Sequence, residues 1–217
     1  MNEEALKSIA AQLRQPHGEY ALQVGEMMNE GNLHINLNTI EALHPEPNDT
    51  ILEIGMGNGF FVKDVLAAAD SVKYTGCDFS EAMVEEARKR NAQFIQSGQA
   101  TFHTASADKL PFADETFDKI FTINTIYFWD DQPAVFAELR RVLKRKGQLL
   151  IAVRPKSVMR HYSFVKYGFN MFTKEELEQL VSANHFTVTE TLEKEEPEQE
   201  LNGEKLTVKT LLVRAEK

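Results

Sequence analysis

Two acids and three glycines give the first chemical signal. Glu53 lies in the apolar run Ile51–Ile54, and Gly55, Gly57 and Gly59 follow it at alternate positions. Asp78 closes a second apolar run, 19 residues after Gly59. Asp108 stands just beyond a third. A glycine-rich turn between a strand and a helix lets backbone N–H groups approach a polar or anionic ligand. An acid at the end of the next strand suits the paired hydroxyls of a ribose. An acid past a third strand can accept from an exocyclic amine. A dinucleotide turn, G-x-G-x-x-G, would need its last glycine at position 60, where the chain has Phe60, and this argues against a pyrophosphate-binding turn and a nicotinamide oxidoreductase. No phosphate-binding G-x-x-x-x-G-K-[ST] is present. The residues able to act as a base at the far side of such a site are His17, His34 and His161, with Tyr127 as a further contact.

These residues need a frame. Phe61, Val62, Val65, Leu66 and Ala69 predict a helix after the glycines. Strands are expected at 51–54, 72–78, 100–105, 119–123, 148–153, 186–192 and 205–215. Helices are expected from Ser80, over Pro133–Leu143, and from the capping box opened by Thr173. Lys144-Arg145-Lys146-Gly147 reads as a capped helix end, and Glu193–Glu204 as a solvated hairpin connection. The late chain leaves β-α-β alternation for an antiparallel pair. Ahead of all this, Ala5, Leu6, Ile9 and Leu13, then Val24 and Met28, then Ile35, Ile40 and Leu43 predict three helices, broken at Gln15–Gly18 and near Gly31. The expected organisation is a single domain over 1–217, with 1–44 a helical arm or lid and 45–217 the α/β core.

The 217 residues, 42% of them hydrophobic, are enough for one α/β domain with a full core. A net charge of -9 disfavours a nucleic-acid partner. The single cysteine, Cys77, forms no intrachain disulfide and fits a reducing compartment. No apolar run reaches the length of a membrane span, and no signal-peptide pattern opens the chain, so the expected setting is the cytoplasm. No metal site is expected.

Leu52–Gly59, Asp78-Phe79-Ser80, Ala107-Asp108 and Leu110-Pro111-Phe112 with Phe117-Asp118 together resemble the motifs of class I S-adenosylmethionine-dependent methyltransferases. The likeness covers about residues 50–154. It extends to Arg141-Val142-Leu143-Lys144 before Gly147, although Arg145-Lys146 replaces the usual Pro-Gly. The subgroup it resembles acts on small molecules and is related to quinone-biosynthesis methyltransferases. The resemblance implies an α/β, Rossmann-like, doubly wound seven-stranded sheet with strand seven antiparallel. It implies S-adenosylmethionine as cofactor: the glycine loop donating backbone N–H groups to its carboxylate, Glu53 receiving its ammonium, and Asp78 its ribose. Phe79, Met83 and Ala107 would enclose adenine, Asp108 would take its amine, and Asn124 completes the set. It also implies a small-molecule methyl acceptor. Asn124-Thr125-Ile126-Tyr127 shares only its ends with the Asn/Asp-Pro-Pro-Tyr of nucleic-acid and protein amino-methyltransferases, which ranks that alternative low. The other alternative is a non-catalytic cofactor-binding or regulatory protein.

Overall fold

The computed structural model describes residues 2–201 and 203–217. Met1, at the start of the expected arm, and Asn202, within the expected 193–204 connection, lie outside the described residues. Among the described residues nine strands form: β1 Thr50–Ile54, β2 Lys73–Asp78, β3 Ala100–Thr104, β4 Phe117–Ile123, β5 Leu143–Val153, β6 Thr187–Glu195, β7 Gln199–Leu201, β8 Glu204–Leu206 and β9 Lys209–Glu216. Seven of them make one sheet in the order β3-β2-β1-β4-β5-β9-β6. β1 to β5 run parallel, and β9 is antiparallel to both β5 and β6. This is the expected doubly wound sheet with its last strand reversed.

The parallel strands are apolar on both faces because helices cover both. The helices are α1 Glu3–Arg14, α2 Ala21–Gly31, α3 Leu33–Leu43, α4 Val62–Ala67, α5 Glu81–Arg90, α6 Ala92–Gln96, α7 Gln132–Val142, α8 Lys156–Met159 and α9 Lys174–Ala183. On one face Phe136 and Leu139 of α7 and Leu177 of α9 pack on Leu52 and Ile120. On the other, Val62 and Val65 of α4 and Val84 of α5 pack on Ile51 and Phe121. Each such fully buried side chain contributes about 1.5–3 kcal/mol. α3 belongs to this second layer, since Ile35, Ile40 and Leu43 are buried in it. Of the three arm helices, then, α3 packs as part of the core, while α1 and α2 cross the carboxyl ends of the strands.

Local chemistry sets the ends. The Ser80 hydroxyl caps α5 by accepting from the Met83 N–H at 3.4 Å. Thr173 and Glu176 make the reciprocal capping box of α9. Asp131 caps α7 through the Ala134 N–H, with Pro133 in the first turn.

Three expectations need correction. The strand expected at 205–215 divides: Lys205 and Leu206 belong to β8, and the main sheet is entered at Lys209. Lys144–Gly147 is not a helix end: α7 stops at Val142, and the four residues bulge within β5, where the register jumps between Phe117↔Leu143 and Lys119↔Gln148. Lys144 pairs with Asp118 of the neighbouring strand at 2.8 Å, which draws its charge back onto the sheet. The 193–204 connection is not simply solvated. β6 runs on to Glu195, β7 and β8 form a small antiparallel ribbon, and Glu196 is buried.

Candidate active site

β1 pairs with β2 on one side and β4 on the other, so the loops after β1 and β4 leave in opposite directions and open a crevice. A cavity of about 300 Å³ fills it, roofed by Leu13, Arg14 and Pro16 of the arm and by one face of α2.

The glycine loop makes its floor. Gly55 has φ of 75°, and a Cβ there would lie 2.1 Å from Thr125 Cγ2, so no other residue fits between β1 and the β4 loop. Its N–H donates to the Cys77 carbonyl at 2.7 Å. The Gly57 N–H donates to Asp78 Oδ2 at 3.0 Å, and the Gly59 N–H to the Met56 carbonyl at 3.2 Å. These loop amides are therefore engaged within the protein. The Asn58 N–H meets no carbonyl among the described residues. Gly59 does not line the cavity; a Cβ there would sit 2.7 Å from Asn91 Nδ2 and 3.0 Å from the Ala87 Cβ, so its smallness lets the loop lie against α5.

Asp78 closes β2 and is held by two amides, Gly57 on Oδ2 and Ser80 on Oδ1 at 2.8 Å. Burial pushes its carboxyl above the usual range, against the pull of those N–H groups. Lone pairs remain free for a ligand's hydroxyls. Glu53 is only 6% exposed. The Tyr74 hydroxyl donates to its Oε2 at 2.5 Å, yet burial, aided by the charge of Asp78, raises its pKa to about 7. Phe79 leaves 40% of its surface uncovered at the cavity, beside Met83, Ala107 and Asp108. Asn124, at the end of β4, also lines the cavity in a left-handed conformation with φ of 57° that asparagine tolerates better than most residues.

The arrangement fits the implied cofactor. Glu53 is a buried carboxyl suited to an ammonium, and Asp78 is a fixed carboxyl suited to paired hydroxyls. Above Gly57 nothing lies within 4 Å of where a Cβ would stand, which leaves room for a ligand against the loop. Asn58 also lines the cavity, and its buried Oδ1 has no hydrogen-bond partner among the described residues, at a typical cost of about 1–3 kcal/mol.

The candidate bases lie elsewhere. His17, His34 and His161 are exposed and do not line the cavity. Tyr127 is buried outside it; its hydroxyl donates to the Arg154 carbonyl and accepts the Arg154 N–H, both at 2.7 Å. Burial holds that phenol well above its ordinary pKa. Its neighbours Phe128 and Trp129 do line the cavity. The sequence reading missed Asn29, Asn32 and Asn36 of the arm, which line it, and also Asn58. Asn58 stands inside the glycine loop, which is a signal the sequence carries, whereas carboxamides on a helix surface are ordinary.

The comparisons with known proteins agree with this geometry. Residues 51–147 match the family model described as a methyltransferase domain. The uncharacterized methyltransferase YdaC of Bacillus subtilis is 30% identical over 136 residues, covering 61% of this chain and 71% of that protein. The O-methyltransferase resE of Aspergillus sclerotiorum is 30% identical over 148 residues, 64% of this chain and 55% of that protein. The ubiquinone/menaquinone biosynthesis C-methyltransferase UbiE of Paracoccus denitrificans is 30% identical over 134 residues, 61% of this chain and 54% of that protein. The chain spans about half the length of several curated relatives it matches, 44% in one O-methyltransferase of Pyrenophora dematioidea. Among solved structures, a SAM-dependent methyltransferase from Aquifex aeolicus shares the fold at a TM-score of 0.69 and 17% identity, covering 96% of this chain and 97% of that one. A methyltransferase of Haloferax volcanii, solved with the Trm112 activator, shares it at a TM-score of 0.78 and 18% identity, covering 88% and 92%. The chain belongs to the class I S-adenosylmethionine-dependent methyltransferases. S-adenosylmethionine is its cofactor.

If Glu53 receives the cofactor's ammonium, as the resemblance implies, cofactor binding is expected to depend on pH. An ammonium requires the ionised carboxylate, and the raised pKa leaves Glu53 largely protonated at about pH 6. Affinity is expected to rise between about pH 6 and pH 8, with a proton released on binding at the lower value. Without ligand the sign reverses: the stability linked to Glu53 is complete below its unfolded pKa, near 4.5, and is lost as pH rises through about 7. Calorimetry in buffers of unlike protonation enthalpy checks the release, and Glu53→Gln should abolish it.

Proposed function

We propose that this protein transfers the methyl group of S-adenosylmethionine to a small, largely apolar acceptor. The observation that carries the reading is one cavity shared by the glycine loop, Asp78, the arm and the aromatic pair Phe128 and Trp129. Bound cofactor supplies an activated methyl: the acceptor's electron pair takes the methyl carbon and the C–S pair returns to sulfur. Glu53, Asp78 and the loop would fix the cofactor, while Phe128, Trp129 and the arm fix the acceptor in line and exclude water. No residue on the cavity wall is assigned as a general base. The test is label transfer from methyl-labelled cofactor across a panel of small acceptors, after calorimetry has established cofactor binding. Binding without turnover across the panel, together with a cofactor-dependent protein partner, would instead favour the regulatory reading.

We further propose that α1 is a lid. It is joined to the rest through Gln15–Gly18, where the Ser80 hydroxyl donates to the Pro16 carbonyl at 2.5 Å and Gln15 Nε2 to the Phe79 carbonyl at 3.2 Å. Arg14 pairs with Asp130 across the cavity mouth. A chain starting near Pro45 would lose the buried Ile35, Ile40 and Leu43, so the informative truncation starts at Gly18. It should fold and bind cofactor but lose turnover or acceptor selectivity. Full turnover from the folded truncation would reduce α1 to packing.

A further inference from the structure

The acceptor side of the cavity is polar without being cationic. Asn29 of α2, Asn32 at the junction and Asn36 of α3 bring carboxamides to the wall, and Asn124 also lines it, its Nδ2 donating to Asn32 Oδ1 at 3.3 Å. Asn58 lies directly beneath α2: a Cβ added at Gly25 would stand 3.2 Å from Asn58 Nδ2. Its buried Oδ1 has no partner and calls for a hydrogen-bond donor. The charged lining is one-sided. Asp78, Asp108, Asp130 and Asp131 contribute to the wall, Glu53 joins them as its carboxyl ionises above about pH 7, and among the described residues Arg14 is the one cation on it. Arg14 is already paired with Asp130.

An anionic acceptor would enter a site whose fixed charges repel it, and its head group would lose water without gaining a counter-charge. The positive charge of the cofactor offsets only part of that field. A neutral ring bearing an O–H or N–H meets none of these costs. It can stack on Phe128 and Trp129 and donate to a carboxamide oxygen. Resting on the methyltransferase reading, we infer that the acceptor is an uncharged aromatic compound carrying a hydrogen-bond donor, and that carboxylate, phosphate and diphosphate compounds are excluded by the field of the cavity.

The test uses binding rather than turnover. The full chain is saturated with S-adenosylhomocysteine, and three matched probes are titrated by ligand-observed NMR: 4-methylphenol, 4-methylbenzoate and 4-methylphenyl phosphate. The phenol should bind at least about tenfold more tightly than either anion at low salt, with the gap narrowing as salt screens the field. Asp131→Asn, which keeps the α7 cap because asparagine caps as well as aspartate, should narrow the gap by improving the anions. Equal or tighter binding of an anion would overturn the inference and leave the methyltransferase reading standing. Failure of all three probes to bind the complex would overturn it too. Failure to bind S-adenosylhomocysteine itself would count against the methyltransferase reading instead.

Discussion

Glu196→Ala is expected to cost about 3–5 kcal/mol of folding stability, more than any other substitution named for this chain. The Glu196 side chain is 1% exposed and that of Arg154 10%. Glu196 accepts from an Arg154 terminal nitrogen and from the Thr210 hydroxyl, both at 2.9 Å. The same Arg154 nitrogen donates to the Gly31 carbonyl at 2.6 Å, where α2 gives way to α3. Removing Glu196 strands a guanidinium in a buried site, and its Nε has no partner even in the intact pair. The penalty is that of an uncompensated charge, and does not measure what the pair contributes. Accordingly, Arg154→Met with Glu196→Leu together should recover much of the loss. Urea denaturation of the three proteins checks this. A loss under about 1 kcal/mol for Glu196→Ala would mean that water reaches the pair.

Asp78→Ala should lower cofactor affinity at least about tenfold, equivalent to about 1.4 kcal/mol. In the proposed complex the carboxylate would offer its remaining lone pairs to two ribose hydroxyls, and hydrogen bonds to a charged acceptor contribute about 1.5–3 kcal/mol each. The fold should feel the change as well. Asp78 also fixes the Gly57 and Ser80 N–H groups, so its loss frees the glycine loop and should lower stability too. Asp78→Asn turns one acceptor into a donor that must face one of those N–H groups, so its affinity should fall almost as far as that of the alanine variant. Calorimetry with thermal melts separates the two effects. Unchanged affinity in Asp78→Ala would place the ribose elsewhere.

The sheet could be read from the chain because its signals are local. The strand at Ile51–Ile54, the turn made by the glycines and the Ser80 and Thr173 caps each act within a few residues, and each formed as expected, although the amides of Gly55, Gly57 and Gly59 are engaged within the protein. Glu196 could not be read that way. It stands in an acidic run that looks solvated, and its burial depends on Arg154, 42 residues earlier. The bulge at Lys144–Gly147 was hidden for a related reason: a helix C-terminus favours the same cations and glycine, and only the pairing of Lys144 with Asp118 distinguishes the two. At the site, the ends of β1 and β2 announced Glu53 and Asp78 by position. The asparagines that face them from α2 and α3 carried no such mark, because carboxamides are ordinary on a helix surface. Tyr127 looked available from its place after β4, but its hydroxyl is taken up by the Arg154 backbone.

Cys77 has a practical consequence. It is the single thiol of the chain, 1% exposed, on the wall of the cavity, with burial pushing its pKa to about 12. A maleimide or disulfide reagent meets neither an open path nor a thiolate while the roof is down. Labelling therefore waits on an opening event, and with no other thiol competing its rate is a clock for that event. Since Cys77 also packs in the core, comparing that rate with the rate of global unfolding separates opening at the cavity from unfolding, by mass spectrometry and without an engineered probe or a known acceptor.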